Sequence, residues 1–295
     1  MIKKKILITG SSGFLGKNLI KTLSKFKDFI IDGLVVKKNF FNKVKGVRYI
    51  VCDVSNLPKL KKKITEDYDI IINFAGNIDH QNKLSTKKIH YFGLKNLVSI
   101  LQNNKSILFI QIGSSLEYGN VRSPILESFK CKPISVYGKS KYQASNYLKK
   151  NINNSIILRL FQVYGPLQKN NRLIPITINS CLKNKSFACS EGSQLRDFLY
   201  VEDFNELILK IINKKKIFKG IYNVGYGKPY KVKNIINLIQ KKIKKGKPIF
   251  GKIKMRKDEV KILYPNIDKV KKIFKWKPKT NIFQGIEKTI KYYEK

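Results

Sequence analysis

Tyr137 and Lys141 stand four residues apart in Tyr137-Gly138-Lys139-Ser140-Lys141. On a helix that spacing puts both side chains on one face. An ammonium beside a phenol favours the phenolate and lowers the tyrosine pKa. Such a pair can exchange a proton with a sugar oxygen near neutral pH. The chain has 15 tyrosines and many lysines, so the spacing carries weight only alongside other features. One is Ile112-Gly113-Ser114-Ser115, where an apolar run ends in hydroxyls. A serine there can hold the same oxygen, and the plainer reading is a capping turn. Another is Thr9-Gly10-Ser11-Ser12-Gly13-Phe14-Leu15-Gly16, spaced G-x-x-G-x-x-G. A helix N-terminus offers unpaired N–H groups and a positive dipole end, and glycines let the backbone approach a pyrophosphate. The loop follows a strand pattern and opens a helix pattern, which is the context that gives a glycine triplet meaning.

The elements that must position these residues alternate along the first half. Apolar runs predict strands at Lys4–Thr9, Phe29–Val36, Tyr49–Cys52, Asp69–Phe74, Ile107–Ile112 and Ser155–Leu160. Helical spacing predicts helices at Gly16–Phe26, Lys88–Leu101 and Val136–Lys150. This alternation implies an α/β fold, a Rossmann-type doubly wound parallel sheet with helices on both faces. Ligands of such sheets bind at the carboxyl ends of the strands, where Ser114 falls. After Gly165-Pro166 the pattern loosens, with helices expected at Ile174–Leu182, Val201–Ile212, Val232–Lys244, Ile267–Phe274 and Phe283–Tyr293, and a returning strand at Gly220–Val224. The expected division is a Rossmann domain over 1–165, with a returning segment near 195–225, and a smaller substrate-binding lobe over 166–295.

Composition narrows the function classes. Lys+Arg total 61 against 19 Asp+Glu in 295 residues, a net +42. A specific nucleic-acid partner is not expected, because the lysines lie in every segment and no basic stripe alternates with aromatics. The charge would still attract a dianionic small substrate. No apolar run reaches membrane-spanning length, and Ile6-Leu7-Ile8 is too short for a signal-peptide core. A soluble, cytoplasmic protein is expected. Cys52, Cys131, Cys181 and Cys189 form no C-x-x-C pair, and His80 and His90 cannot build a metal site alone. No metal is expected.

An acid ending the second strand would hold the ribose 2′-hydroxyl of NAD. Here the strand ends Val35-Val36-Lys37-Lys38, with Asp32 inside it. Lys37 could instead take a 2′-phosphate, which favours NADP over NAD.

In order along the chain stand the glycine loop, Cys52-Asp53-Val54, Asn73-Phe74-Ala75-Gly76, Ser114-Ser115-Leu116-Glu117-Tyr118-Gly119, Tyr137 with Lys141, Arg159-Leu160-Phe161-Gln162-Val163-Tyr164-Gly165-Pro166, Arg196-Asp197-Phe198 and Tyr222-Asn223-Val224-Gly225. In these motifs the sequence resembles the extended short-chain dehydrogenases/reductases of the NAD-dependent epimerase/dehydratase group, which act on nucleotide sugars. The resemblance implies that Gly10, Ser12, Gly13, Phe14, Leu15 and Gly16 flank the cofactor pyrophosphate. It implies that Asp53 and Val54 contact the adenine and that Phe74, Ala75 and Gly76 line the groove. Ser114 matches the catalytic Ser/Thr, Tyr137 the acid/base, and Lys141 the residue holding the nicotinamide ribose. Ser115, Gln162, Arg172, Arg196 and Arg256 fall on the substrate side, the arginines suited to phosphate oxygens. A homodimer through the helices near 88–101 and 136–150 is also implied.

Three departures from the group's pattern matter. His90 and Gln162 each stand where the group usually has Asn. Dehydratases of the group carry Asp-Glu directly after the catalytic Ser/Thr, where this chain has Ser115 and Leu116; Glu117 is displaced by one and would need a different backbone path. The expected reaction is therefore NAD(P)H-dependent reduction of a nucleotide-linked 4-keto-6-deoxy sugar at C4. The alternative is a nucleotide-sugar 4-epimerase holding NAD tightly, and a third reading is a non-catalytic dinucleotide sensor or polyanion binder.

Overall fold

Parallel strands covered on both faces need apolar side chains on both, so they read as short continuous apolar runs. The computed structural model describes residues 3–39, 43–65, 67–77, 83–101, 103–255 and 259–294. Its first elements are β1 (Lys4–Thr9), α1 (Phe14–Leu23), β2 (Phe29–Val35), β3 (Arg48–Val51), α2 (Leu57–Lys63), β4 (Ile70–Asn73), α3 (Lys83–Lys87), α4 (Gly93–Leu101), β5 (Leu108–Ser114), α5 (Val136–Asn151) and β6 (Ser155–Leu160). Then follow β7 (Gln162–Tyr164), α6 (Leu173–Leu182), β8 (Ser186–Ala188), β9 (Leu195–Tyr200), α7 (Val201–Ile212) and β10 (Gly220–Val224). The chain closes with β11 (Pro229–Lys231), α8 (Val232–Ile243), β12 (Lys247–Ile249), β13 (Ile262–Leu263), α9 (Asp268–Phe274) and α10 (Ile282–Tyr293).

Two compact units form. The first comprises Met1–Asn120, Glu127–Leu160 and Leu207–Asn223. It is built on a seven-stranded sheet in the order β10-β6-β5-β4-β1-β2-β3. Neighbours from β6 through β3 pair in parallel, and helices flank the sheet, as the alternating pattern predicts. β4, β5 and β6 are buried along their whole length. Leu7, Phe109 and Ile157 of the sheet pack with Leu97, Val98 and Leu148 of the helices, each fully buried side chain contributing about 1.5–3 kcal/mol. The chain leaves β1 toward β2 and β3, then returns to the other side of β1 as β4. The carboxyl ends of β1 and β4 therefore flank the switch point of the sheet, where open α/β folds bind their ligands.

The helix expected at Lys88–Leu101 is interrupted. Lys88–Phe92 forms a π-helical turn in which the Gly93 N–H bonds the Lys88 carbonyl five residues back. The added residue per turn carries His90 inward, where it is buried; such bulges recur at functional sites. The approach is tight, since a Cβ on Gly93 would lie 2.7 Å from Val54 Cγ2.

The second unit comprises Val121–Leu126, Phe161–Glu206 and Val224–Lys295. Strands β11, β9 and β13 form one sheet with β7 paired to β9, and β12 pairs with β8. Tyr164, Ile178, Phe198, Ile236 and Ile286 lie in its core. Most of these strands are two or three residues long, too short to show a period in the sequence. Among the described residues no helix is long and apolar enough to cross a membrane.

Candidate active site

The glycine loop is a set of close backbone approaches. Gly10 has φ +62°, and a Cβ there would lie 2.8 Å from the Phe74 backbone and 2.9 Å from Ala75 N. A Cβ on Gly16 would lie 2.5 Å from Gly10 O and 2.7 Å from Ser11 Cα. Gly13 is the N-cap of α1, with no side-chain cap and no acid in the first turn. The first-turn N–H groups thus keep their capacity for an anion. Ser11 donates to the Leu34 carbonyl at 2.9 Å, anchoring the loop to β2. Ser12, Phe14 and Leu15 are half-buried beside it.

Beneath the loop runs a buried polar rail. Thr9 Oγ1 donates to Asn73 Oδ1 at 2.5 Å, and Asn73 Nδ2 donates to Gln111 Oε1 at 2.7 Å. It ties the ends of β1, β4 and β5, and the Ala75 N–H closes it on Thr9 Oγ1 at 3.1 Å. Val54 is buried and half-buried Asp53 accepts the Ser55 N–H at 2.8 Å. Phe74 is half-buried, Ala75 buried and Gly76 exposed. These sequence-derived groove residues all belong to the first unit. The uncapped helix end and the glycine cradle fit the pyrophosphate of a dinucleotide.

At β2, Asp32 lies inside the strand as expected and is 1% exposed. Arg48 Nε donates to it at 2.8 Å, Arg48 Nη2 pairs with its other oxygen, and Tyr68 donates at 2.6 Å. Burial pushes its carboxyl up, but those hydrogen bonds outweigh burial and hold it below the usual range. Asp32 is therefore committed within the fold, and the exposed Lys37 follows the strand end.

The hydroxyl and proton-transfer candidates converge at the end of β5. Ser114 is buried, and its Oγ accepts the Leu116 N–H at 3.2 Å, capping the short 3₁₀ turn Ser115–Glu117. The capping reading and the functional reading thus coexist in one residue. Ser115 is also buried. On α5, Tyr137 is half-buried and Lys141 is 4% exposed. Lys141 Nζ lies 5.9 Å from the Tyr137 ring centroid and donates to the Ile112 carbonyl at 2.8 Å. Burial pushes its ammonium down to about 8, with the Glu117 charge opposing that shift. The His90 ring packs edge-on against Tyr137, centroids 5.0 Å apart. Gly76 makes room, since a Cβ there would lie 2.5 Å from His90 Cε1.

Gln162, Arg172 and Arg196 belong to the second unit. Gln162 is exposed on β7, and Arg172 is the half-buried N-cap of α6. Arg196 on β9 is buried, donates to the Leu195 carbonyl at 2.8 Å and pairs with Glu259. Arg256 lies outside the described residues. Among the described residues no group of three or more His, Cys, Asp or Glu could hold a metal ion, and the four cysteines are free.

Sequence reasoning missed what surrounds Ser114. Glu117, fully buried, accepts the Ser114 N–H at 2.9 Å, the Ser145 hydroxyl at 3.0 Å and Arg159 Nε at 2.9 Å. The available signal was an acid at the end of β5 and an arginine on β6 within buried apolar runs; buried charges seek partners.

A family model described as "NAD dependent epimerase/dehydratase family" matches residues 6–225. A "Putative UDP-glucose 4-epimerase" of Methanocaldococcus jannaschii is 29% identical, the match covering 97% of each chain. "CDP-abequose synthase" of Salmonella typhimurium is 27% identical over 98% of each chain. A solved UDP-glucose 4-epimerase with UDP-glucose, from Thermotoga maritima, superposes with TM-score 0.90 at 20% identity over 98% of each chain, a likeness of fold.

Proposed function

The chain belongs to the NAD dependent epimerase/dehydratase family, and from that premise we propose that it reduces a nucleotide-linked 4-keto-6-deoxy sugar at C4. One observation carries this reading. Ser114, Tyr137 and Lys141 gather at the end of β5, and among the described residues the acid of the adjoining turn is already enclosed by partners. Elimination across C5 and C6 needs a base, and the turn's one acid, Glu117, is fully buried against Arg159 and Ser145. The chemistry a nicotinamide dinucleotide supplies when bound is hydride transfer. The Ser114 hydroxyl, whose Oγ accepts from the turn, has its proton to offer the C4 oxygen. The Tyr137 phenol passes a proton to that oxygen, and the Lys141 ammonium would hold the ribose hydroxyls of a bound dinucleotide and favours the phenolate left behind. By resemblance to the family, Arg172, Arg196 and Arg256 are the candidates for the substrate diphosphate.

The coenzyme reading is NADP(H) over NAD(H). It rests on Asp32 being committed to Arg48 and Tyr68 while Lys37 stands exposed past the strand end. A homodimer through the α4 and α5 region and a cytoplasmic location belong to the same reading. The second reading is a 4-epimerase, which uses the same three side chains; the relative named as a putative UDP-glucose 4-epimerase favours it. Nicotinamide absorbance separates the two. With NADPH or NADH and a panel of CDP-, dTDP- and UDP-linked 4-keto-6-deoxy sugars, the reductase consumes the coenzyme stoichiometrically. Tyr137→Phe should lower the rate by about 10²- to 10⁴-fold. UDP-hexose interconversion without added reductant would replace reduction by epimerisation.

A further inference from the structure

Glu117 takes no part in the reaction proposed above. Oε1 accepts the Ser114 backbone N–H, and Oε2 accepts from Arg159 and Ser145. Gly113 is glycine for its sake, because a Cβ there would lie 2.5 Å from Glu117 Oε1. Arg159, 2% exposed, in turn lies over the Tyr118 ring at 4.4 Å, and Tyr118 donates to Asn223 Oδ1 at 2.8 Å. Helix α5 meets this network twice on one face. Ser145 donates to the Glu117 carboxylate, and Lys141, four residues earlier, donates to the Ile112 carbonyl two residues before Ser114. Both ends of the carboxylate thus bear on the proposed catalytic groups.

We propose that Glu117 is a positioning residue for the Ser114–Tyr137–Lys141 site, fixing the turn that presents Ser114 and serving as the buried negative charge that faces Lys141. This assignment rests on the reading of those three residues as the reacting groups. Among the described residues, Lys141 meets the Tyr137 ring on α5, with His90 behind that ring, and the Ile112 carbonyl on β5, while Glu117, held by Ser145 and Arg159, is the charge that acts on it. Among the charged groups, Glu117 stabilises the ammonium, and burial opposes it.

The test uses NADH binding to the full chain, followed by fluorescence from about pH 6.5 to about pH 10, so it needs no sugar. In the wild-type protein affinity falls as Lys141 loses its proton, with a midpoint near pH 8. Glu117→Gln should lower that midpoint by about one pH unit. Arg159→Lys, which keeps the Glu117 charge, should leave the midpoint unchanged. If Glu117→Gln does not fold, the double variant Glu117→Gln/Arg159→Met, which leaves Arg159 no stranded charge, should show a smaller shift in the same downward direction. An unmoved midpoint in the folded Glu117 variant overturns the assignment. So does an equal shift in Arg159→Lys, which would report loosened packing, or a wild-type affinity flat across this range. Loss of sugar reduction with the midpoint shift intact would instead overturn the proposed reaction and leave the Glu117 assignment standing.

Discussion

Lys141→Met removes a buried charge while keeping most of the side-chain bulk, so it isolates what that charge costs the fold. Burial pushes the Lys141 ammonium from 10.5 down to about 8. At about 1.4 kcal/mol per pH unit, carrying the proton inside the folded protein costs about 3 kcal/mol. Against this, the ammonium donates to the Ile112 carbonyl at 2.8 Å. Leaving that buried acceptor unsatisfied costs about 1–3 kcal/mol. Near neutral pH the two terms nearly cancel, and the variant should be about as stable as the wild type while turnover is lost. The pH dependence does not cancel. The folded lysine releases its proton near pH 8 and the unfolded lysine near 10.5, so unfolding takes up a proton between those values. Wild-type stability therefore gains from rising pH across that window, and below it the full cost is present. The difference in unfolding free energy, wild type minus Lys141→Met, should rise by about 2–3 kcal/mol from about pH 7.5 to about pH 10.5. Urea unfolding of both proteins by far-ultraviolet circular dichroism measures it, because every other titrating group is common to the pair. A difference that stays flat across the window would refute the argument.

The glycine cradle and the end of β2 give two further predictions. Gly16→Ala should destabilise the first unit by about 1–3 kcal/mol and abolish dinucleotide binding, because the new Cβ would sit 2.5 Å from Gly10 O; thermal unfolding and coenzyme titration read both effects. Lys37→Glu should weaken NADPH binding relative to NADH by roughly fivefold or more, the scale of one exposed charge on a phosphate, and an unchanged ratio of the two dissociation constants would remove Lys37 from coenzyme recognition.

Much of the first unit is legible in the chain because parallel strands buried on both faces must be apolar throughout. β1, β6 and β10 fall at the expected residues, and β5 runs two residues further to include Ser114. The glycine loop is legible for a related reason: the backbone contacts around Gly10 and Gly16 leave no space for a side chain. The i, i+4 spacing of Tyr137 and Lys141 is a property of any helix, and it correctly predicts a shared face. The short strands β7, β8 and β11 to β13 leave no period to read, since each owes its place to a neighbouring strand.

The sequence determined the fold class and the cradle, which follow from local backbone geometry and from the periods of burial, and it nominated the candidate-site residues through the motifs in which it resembles its family. Partnership was decided only by tertiary structure. The chain places Asp32 inside the second strand but does not name Arg48 and Tyr68 as its partners, and it shows Glu117 displaced from the dehydratase position but not its enclosure by Arg159 and Ser145. Lys141 was expected beside the Tyr137 phenol, but its hydrogen bond is to the Ile112 carbonyl. The π-helical turn that brings His90 against Tyr137 likewise has no local signature in Lys88–Phe92. A charge's role depends on which opposite charge or dipole lies within a few ångströms in a low-dielectric interior. Such neighbours come from residues tens of positions apart, so no local pattern in the chain specifies them.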